Sequence, residues 1–202
     1  MNMIKCCLLW LLSVRIKNNG KNNVIKISPK AYLRKVKIKI YGDNNYIEIN
    51  NGTYLHNVYI RIGFPDCYAD NTSLKIGENT TFNSADIQLG EDNSFIHIGN
   101  DCMFSFNVEL SCSDTHAVLN NNGEISNIGK SIIIGNHCWI CKNAKILKNT
   151  AIGNNNIVAQ DSVITKEFKD SNQILGGNPA KILKENINWS RKRPNSFIPK
   201  RR

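Results

Sequence analysis

Four histidines, His56, His97, His116 and His137, supply the chain's acid–base chemistry near neutral pH. Imidazole is the one side chain whose ordinary titration falls between pH 5 and 8, so it can take a proton and return it. His56 and His97 lie in strand-like stretches, and His137 follows Gly135-Asn136 within a regular repeat; these three read as structural or surface residues. His116 alone sits in a polar segment without periodicity, Ser111 to Asn127, beside Ser113 and Asp114 and shortly after Glu109. A carboxylate from Asp114 or Glu109 on one ring nitrogen would fix the tautomer and leave the other nitrogen to act as a general base. A solitary loop histidine is more often merely solvated, so the elements around it must decide. No two histidines have the close spacing that places two metal ligands on one loop, and no metal is expected. The seven cysteines show no paired spacing and read as reduced, structural thiols of a reducing compartment.

The elements that must position His116 are legible from a second pattern. Ile134, Ile140, Ile146, Ile152, Val158 and Ile164 recur every six residues, a period that belongs to neither an α-helix nor a flat strand. One short strand and one turn per six residues make a coiled β-solenoid. Four places after each apolar position stand small residues, Cys138, Ala144, Thr150, Asn156 and Ser162, which suit tight corners beneath inward side chains. Abundant asparagine agrees, because Asn tolerates the left-handed backbone that repeated turns demand.

The expected organisation is an amino-terminal cap or interfacial segment over residues 1–19, a solenoid over 20–169 and a carboxy-terminal turn, short helix and basic tail over 170–202. The apolar run Cys6 to Val14 is too short to span a membrane and would plug the open end of the solenoid or lie at a membrane surface. Gly20 to Ile27 is echoed by Gly42 to Ile49 and by Gly90 to Ile98, each a glycine turn before a short alternating strand. The six-residue pattern lapses over about 111–131, which reads as a loop thrown out from the coil, and loops on a rigid scaffold carry chemistry. Gly176-Gly177-Asn178-Pro179 makes a turn, and Pro179 to Arg193 is expected to form the short helix.

The hexapeptide run, the loop Ser113-Asp114-Thr115-His116, the stretch Ile133 to Ile140 and the closing Gly177-Asn178-Pro179-Ala180-Lys181 together resemble the left-handed parallel β-helix acyltransferases. Within them the chain is most similar to bacterial O-acetyltransferases of capsular and other surface polysaccharides, including those acting on polysialic acid. The likeness is good over about residues 70–190 and weaker before. It implies an all-β fold, a homotrimer with acetyl-CoA in a groove between neighbouring solenoids, and His116 as the base that activates an acceptor hydroxyl. It also implies Lys166 and Lys181 as contacts to coenzyme A. The pantetheine arm is expected along the coils where Ala159 permits close approach, with the amide of Cys141 as an oxyanion donor. Cys141 stands where the family often has glycine. Ser113 and Trp139 are the expected acceptor contacts; Trp139 precedes an inward Ile140 and so points its indole outward, toward a sugar, the cofactor or a neighbouring subunit.

A formal net charge of +10 asks for an acidic partner. Nucleic acid is disfavoured, since no aromatic platform or recognition helix accompanies the charge. Two competitors to glycan O-acetylation stay open: acetylation of a small acceptor such as a nucleotide-linked sugar, a free sugar or serine, and a non-enzymatic solenoid that binds an acidic glycan or a membrane. The expected location is the bacterial cytoplasm, with peripheral contact to the inner membrane through residues 1–17.

Overall fold

The computed structural model describes residues 13–197. The chain winds into a left-handed parallel β-helix of triangular cross-section, and its three walls are three parallel sheets. Sheet A stacks Arg15–Asn19, Lys37–Tyr41, Val58–Ile62, Ala85–Leu89, Val108–Ser111, Lys145–Leu147 and Val163–Ile164. Sheet B stacks Val24–Ile27, Tyr46–Ile49, Ser73–Ile76, Phe95–Ile98, Ser131–Ile134 and Thr150–Ile152. Sheet C stacks Tyr32–Arg34, Tyr54–His56, Thr81–Phe82, Met103–Phe104, Trp139–Ile140, Ile157–Val158 and Ile174–Gly177.

The six-residue run maps onto these walls in rotation. Ile134 belongs to sheet B, Ile140 to C and Ile146 to A, and one full coil later each stands in register with Ile152, Val158 and Ile164 respectively. All six are buried, as are the small corner residues Cys138, Ala144, Thr150, Asn156 and Ser162. Burial of a branched aliphatic side chain contributes about 1.5–3 kcal/mol, so a column of them accounts for much of the driving force. Burial also pushes the Cys112 thiol up to about 12 and that of Cys141 up to about 11, so at neutral pH both are protonated.

Asparagine does the turning. Asn22, Asn44, Asn71, Asn93 and Asn149 hold positive φ between sheets A and B; Asn79, Asn155 and Asn172 do so before strands of sheet C; Asn57, Asn107 and Asn143 do so before strands of sheet A. An ordinary L-residue there costs about 1–2 kcal/mol, which asparagine largely avoids. Several of these amides also bond from coil to coil, Asn143 Nδ2 donating to Asp161 Oδ1 at 2.8 Å.

Two features differ from the expectation. The solenoid begins at Arg15 rather than near residue 20, because Arg15–Asn19 already pairs along its length with Lys37–Tyr41. Most of the apolar run Cys6 to Val14 lies outside the described residues; Val14 is buried in the core. The segment expected to be helical from Pro179 is instead a strand, Ala180–Lys184, which turns back and pairs antiparallel with Ile174–Gly177. The open backbone groups of the last sheet C strand outcompete the helix expected over Pro179 to Arg193, and a 3-10 turn falls later, at Pro194–Ser196.

Beyond that hairpin the chain runs back along the solenoid as a strap. The Ile187 amide donates to Asn172 O at 2.9 Å, and Trp189 lies flat on His137 with ring centroids 4.3 Å apart. Trp189 Nε1 donates to His137 O at 2.7 Å, and Arg191 donates to Asp101 Oδ1, Thr81 Oγ1 and Cys102 O at 2.8–2.9 Å.

Asn143→Gly should leave stability nearly unchanged, whereas Asn143→Val should lower it by about 1–2 kcal/mol, read as a shift of the urea midpoint at constant slope.

Candidate functional site

The excursion leaves the A–B corner after Val108–Ser111 and returns at Ser131–Ile134. Its neck is pinched: a Cβ on Gly129 would sit 1.8 Å from Cys112 O, so only glycine allows the two limbs to pass. Below it at the same corner are two further connections, residues 63–72 and 90–94. The three together enclose a cleft of about 420 Å³ lined by Tyr68, Glu91, Asp92, Thr115, His116 and Asn127 among others.

His116 is exposed in this cleft, and among the described residues nothing hydrogen-bonds its ring. Its backbone, by contrast, is held tightly. Asn127 Nδ2 donates to His116 O at 2.9 Å and to Asp114 Oδ2 at 2.8 Å, while Asn127 Oδ1 accepts from the Val118 amide at 2.7 Å. Lys148 reaches up from the coil to bind both Asp114 Oδ2 and Asn127 O. Its ammonium is largely covered, so Lys148 fastens the loop and is not a spare surface charge. At the base of the loop Ser113 is buried; its hydroxyl donates to Glu91 Oε1 at 2.7 Å and accepts from the Thr115 amide at 2.8 Å.

The expected site residues therefore separate. Asp114 is committed to Lys148 and Asn127, and Glu109, out on sheet A, pairs with Lys145 at 3.1 Å, so neither carboxylate orients His116 within the chain. Ser113 braces the loop from inside. The amide of Cys141, expected as an oxyanion donor, is a coil rung donating to Val158 O at 2.9 Å, and the amide of Ala159 donates to Leu175 O at 2.8 Å. Lys181 is exposed on the terminal hairpin, and Lys166 is exposed with its ammonium 5.3 Å from the centre of the Phe168 ring. Trp139 points outward from sheet C as its register requires, and Trp189 of the same chain covers part of it at 5.9 Å between ring centres. His137 is occupied by Asp101, 2.6 Å from Nδ1, and by Trp189. Although burial alone would raise the Asp101 carboxyl, hydrogen bonds from His137 and Arg191 outweigh it and hold the group below the usual range.

Tyr68, Glu91, Asp92 and Asn127 escaped the sequence reading. Their signal was positional: Gly63 and Gly90 each end a sheet A strand, so both connections open at the corner from which the long loop springs.

The Lys148 hydrogen bond, and after it that of Asn127, holds the Asp114 carboxyl below its ordinary value. A depressed carboxyl stabilises the folded arrangement above the ordinary value of about 3.9 and loses that contribution as pH falls through its lower folded value. Loop amides near His116 should accordingly lose exchange protection below about pH 4, after correction for intrinsic rates. Lys148→Met should lower protection at neutral pH and flatten the dependence; an unchanged profile would show that the pair does not hold the loop.

Residues 131–166 match the bacterial transferase hexapeptide family of six repeats. The chain is 40% identical over 121 residues to a polysialic acid O-acetyltransferase of Neisseria meningitidis, an overlap covering 59% of this chain and 56% of that relative. Among solved structures it superposes on the polysialic acid O-acetyltransferase OatWY with a TM-score of 0.78 at 31% identity, over 91% of this chain and 94% of that one. It superposes on the polySia-specific acetyltransferase NeuO with a TM-score of 0.66 at 27% identity, over 89% and 90%. A solenoid of this register with this loop at its corner, related to OatWY along almost its whole length, belongs to the hexapeptide-repeat acetyltransferases, in the group that contains the polysialic acid O-acetyltransferases.

Proposed function

We propose that the chain transfers the acetyl group of acetyl-CoA to a hydroxyl of an anionic bacterial surface glycan, with His116 as general base. One observation carries the reading: on an acetyltransferase solenoid, His116 stands in a cleft with its ring unengaged among the described residues and its backbone clamped. An imidazole so held can accept the hydroxyl proton as the oxygen attacks the thioester carbon, then return it to the departing thiolate. Because Asp114 and Glu109 are bound elsewhere, the loop backbone supplies the orientation that a carboxylate would otherwise give.

The working unit in this proposal is a homotrimer. Sheet C lies across the prism from the A–B corner, so one chain's Trp139 cannot reach its own His116 cleft, and a neighbouring copy must bring them together. The loop also exposes Val118, Leu119, Ile125 and Ile128, each by more than half, which suits an arm that packs on a neighbour. Lys166 and Lys181 remain the proposed contacts to the phosphates of coenzyme A, with the pantetheine arm near Ala159. Acetyl-CoA is a cytoplasmic metabolite, so the reaction is assigned to the cytoplasm, at the inner membrane if residues 1–17 anchor there.

His116→Ala should reduce thiol release from acetyl-CoA in the presence of a carboxylated glycan by at least about 100-fold, with oligomeric mass and coenzyme A binding unchanged. Retained turnover would remove His116 from the role of base. Turnover with monomeric sugars or serine in preference to every polymer would favour the small-acceptor alternative. Failure to bind coenzyme A at all would favour a non-enzymatic solenoid.

A further inference from the structure

The positive charge is not spread over the molecule. Residues 15–62 hold ten lysines and arginines against two acidic residues, so this stretch carries eight of the net ten positive charges. The outer surface of sheet A concentrates them in two columns. Lys17, Lys39 and Arg61 form one, each in register with the next, and Arg15, Lys37 and Tyr59 form the other. Like charges directly opposite one another destabilise a sheet, and here Arg15 faces Lys37 while Lys17 faces Lys39, which faces Arg61. The three strands that carry them, Arg15–Asn19, Lys37–Tyr41 and Val58–Ile62, contain no acidic residue. Arg61 gains only a loose counter-charge from Asp86 at 3.7 Å in the next strand. At the neighbouring corner Asp43 and Asp70 each accept a backbone amide at 2.7 Å, which ties these carboxylates to the coil.

This surface is also prepared for a ligand. A groove of about 670 Å³ runs along its flank, with Lys35, Lys37, Tyr59 and Arg61 at the end nearest the first coils and Asp86 and Glu109 at the other. The Arg61 guanidinium is held between the Tyr59 and Phe64 rings, 5.1 and 4.9 Å from their centres, and Lys37 covers Tyr59 at 4.9 Å. The column of Lys17, Lys39 and Arg61 continues in register to Gln88 and then Ser111. Gln88 Nε2 donates to Thr115 Oγ1 at 3.4 Å, and Thr115 is the neighbour of His116 in the cleft. The column therefore begins in three cations, passes through the neutral Gln88 and Ser111, and ends at the reacting corner. Four strand steps separate its first strand from the strand that launches the loop, about 19 Å.

We infer that the outer surface of sheet A in the first coils, centred on Lys17, Lys39 and Arg61, is a binding track for an extended carboxylated polysaccharide whose acceptor unit lies in the His116 cleft. The inference rests on the acetyl-transfer reading above and adds to it a site that makes a polymer, and not a monomer, the preferred acceptor. Length and charge carry it: a single sugar would need none of the 19 Å that precede the cleft, while a flexible polyanion gains one weak, salt-screened contact per coil. A flat bilayer surface fits the groove less well, because the aromatic rings on this wall are covered by cations and are not presented for insertion.

The test compares two charge reversals of equal size on the full-length protein. Lys17→Glu with Lys39→Glu alters the track, and Lys26→Glu with Lys75→Glu alters sheet B on the adjoining wall. With long acceptor chains, the track pair should raise KM at least tenfold while kcat changes less than twofold, and the advantage of long over short acceptors should collapse. The sheet B pair should shift the same KM less than twofold. Equal effects of the two pairs, or none from the track pair, would overturn the inference. Binding of a fluorescent carboxylated polysaccharide, at low salt and at 0.5 M salt, gives the same comparison without turnover. Absence of acetylation with intact track binding would defeat the catalytic reading and leave the track standing. Binding of anionic phospholipid vesicles or of a DNA oligomer, lost in the track pair and unmatched by the sugar polymer, would overturn the assignment to a glycan.

Discussion

Every strand in this molecule must find its hydrogen-bond partners in the coils above and below it, because parallel strands a few residues long have none within their own coil. That requirement fixes the register of one coil on the next, and register in turn stacks like positions into columns. Inside, Ile134 stands under Ile152 and Ile140 under Val158; outside, Lys17 meets Lys39 and Arg61. The same constraint governs what the backbone can offer a ligand. The amides of Cys141 and Ala159 are spent on rungs, so recognition falls to side chains and to the places where the ladder stops.

The ladder stops at one corner three times, after Ile62, Leu89 and Ser111, and the cleft forms where those stops coincide. Side chains that resemble catalytic equipment in the sequence are used there as fasteners: Asp114 with Lys148 and Asn127, Ser113 with Glu91. Among the described residues they leave the His116 imidazole unengaged while fixing the peptide that carries it. Rigid support with an unengaged functional group is the division of labour that the proposed role of His116 as general base requires.

The regular part of the fold was legible because its signal is local and periodic: one apolar residue in six and an asparagine at most corners. The carboxy-terminal region was not. Ala180–Lys184 has the composition of a helix, and only the unpaired edge beside Leu175 makes it a strand. The strap depends on contacts between residues far apart in the chain, Trp189 with His137 and Arg191 with Thr81, which leave no pattern in either neighbourhood. His116 could be singled out because it breaks a repeat. Its supporters could not be ranked, because the lysines that claim Asp114 and Glu109, Lys148 and Lys145, lie more than thirty residues away in the chain.

The strap bears on the order in which the molecule is completed. Synthesis proceeds from the amino terminus, so the coils emerge and stack one upon another before Trp189 and Arg191 exist. Those late residues then reach back over coils already formed, to His137, Asp101 and Thr81, and tie them together with a single indole and a single guanidinium. A chain that lacks them would leave the outer faces of His137, Asp101 and Thr81 uncovered over three successive coils.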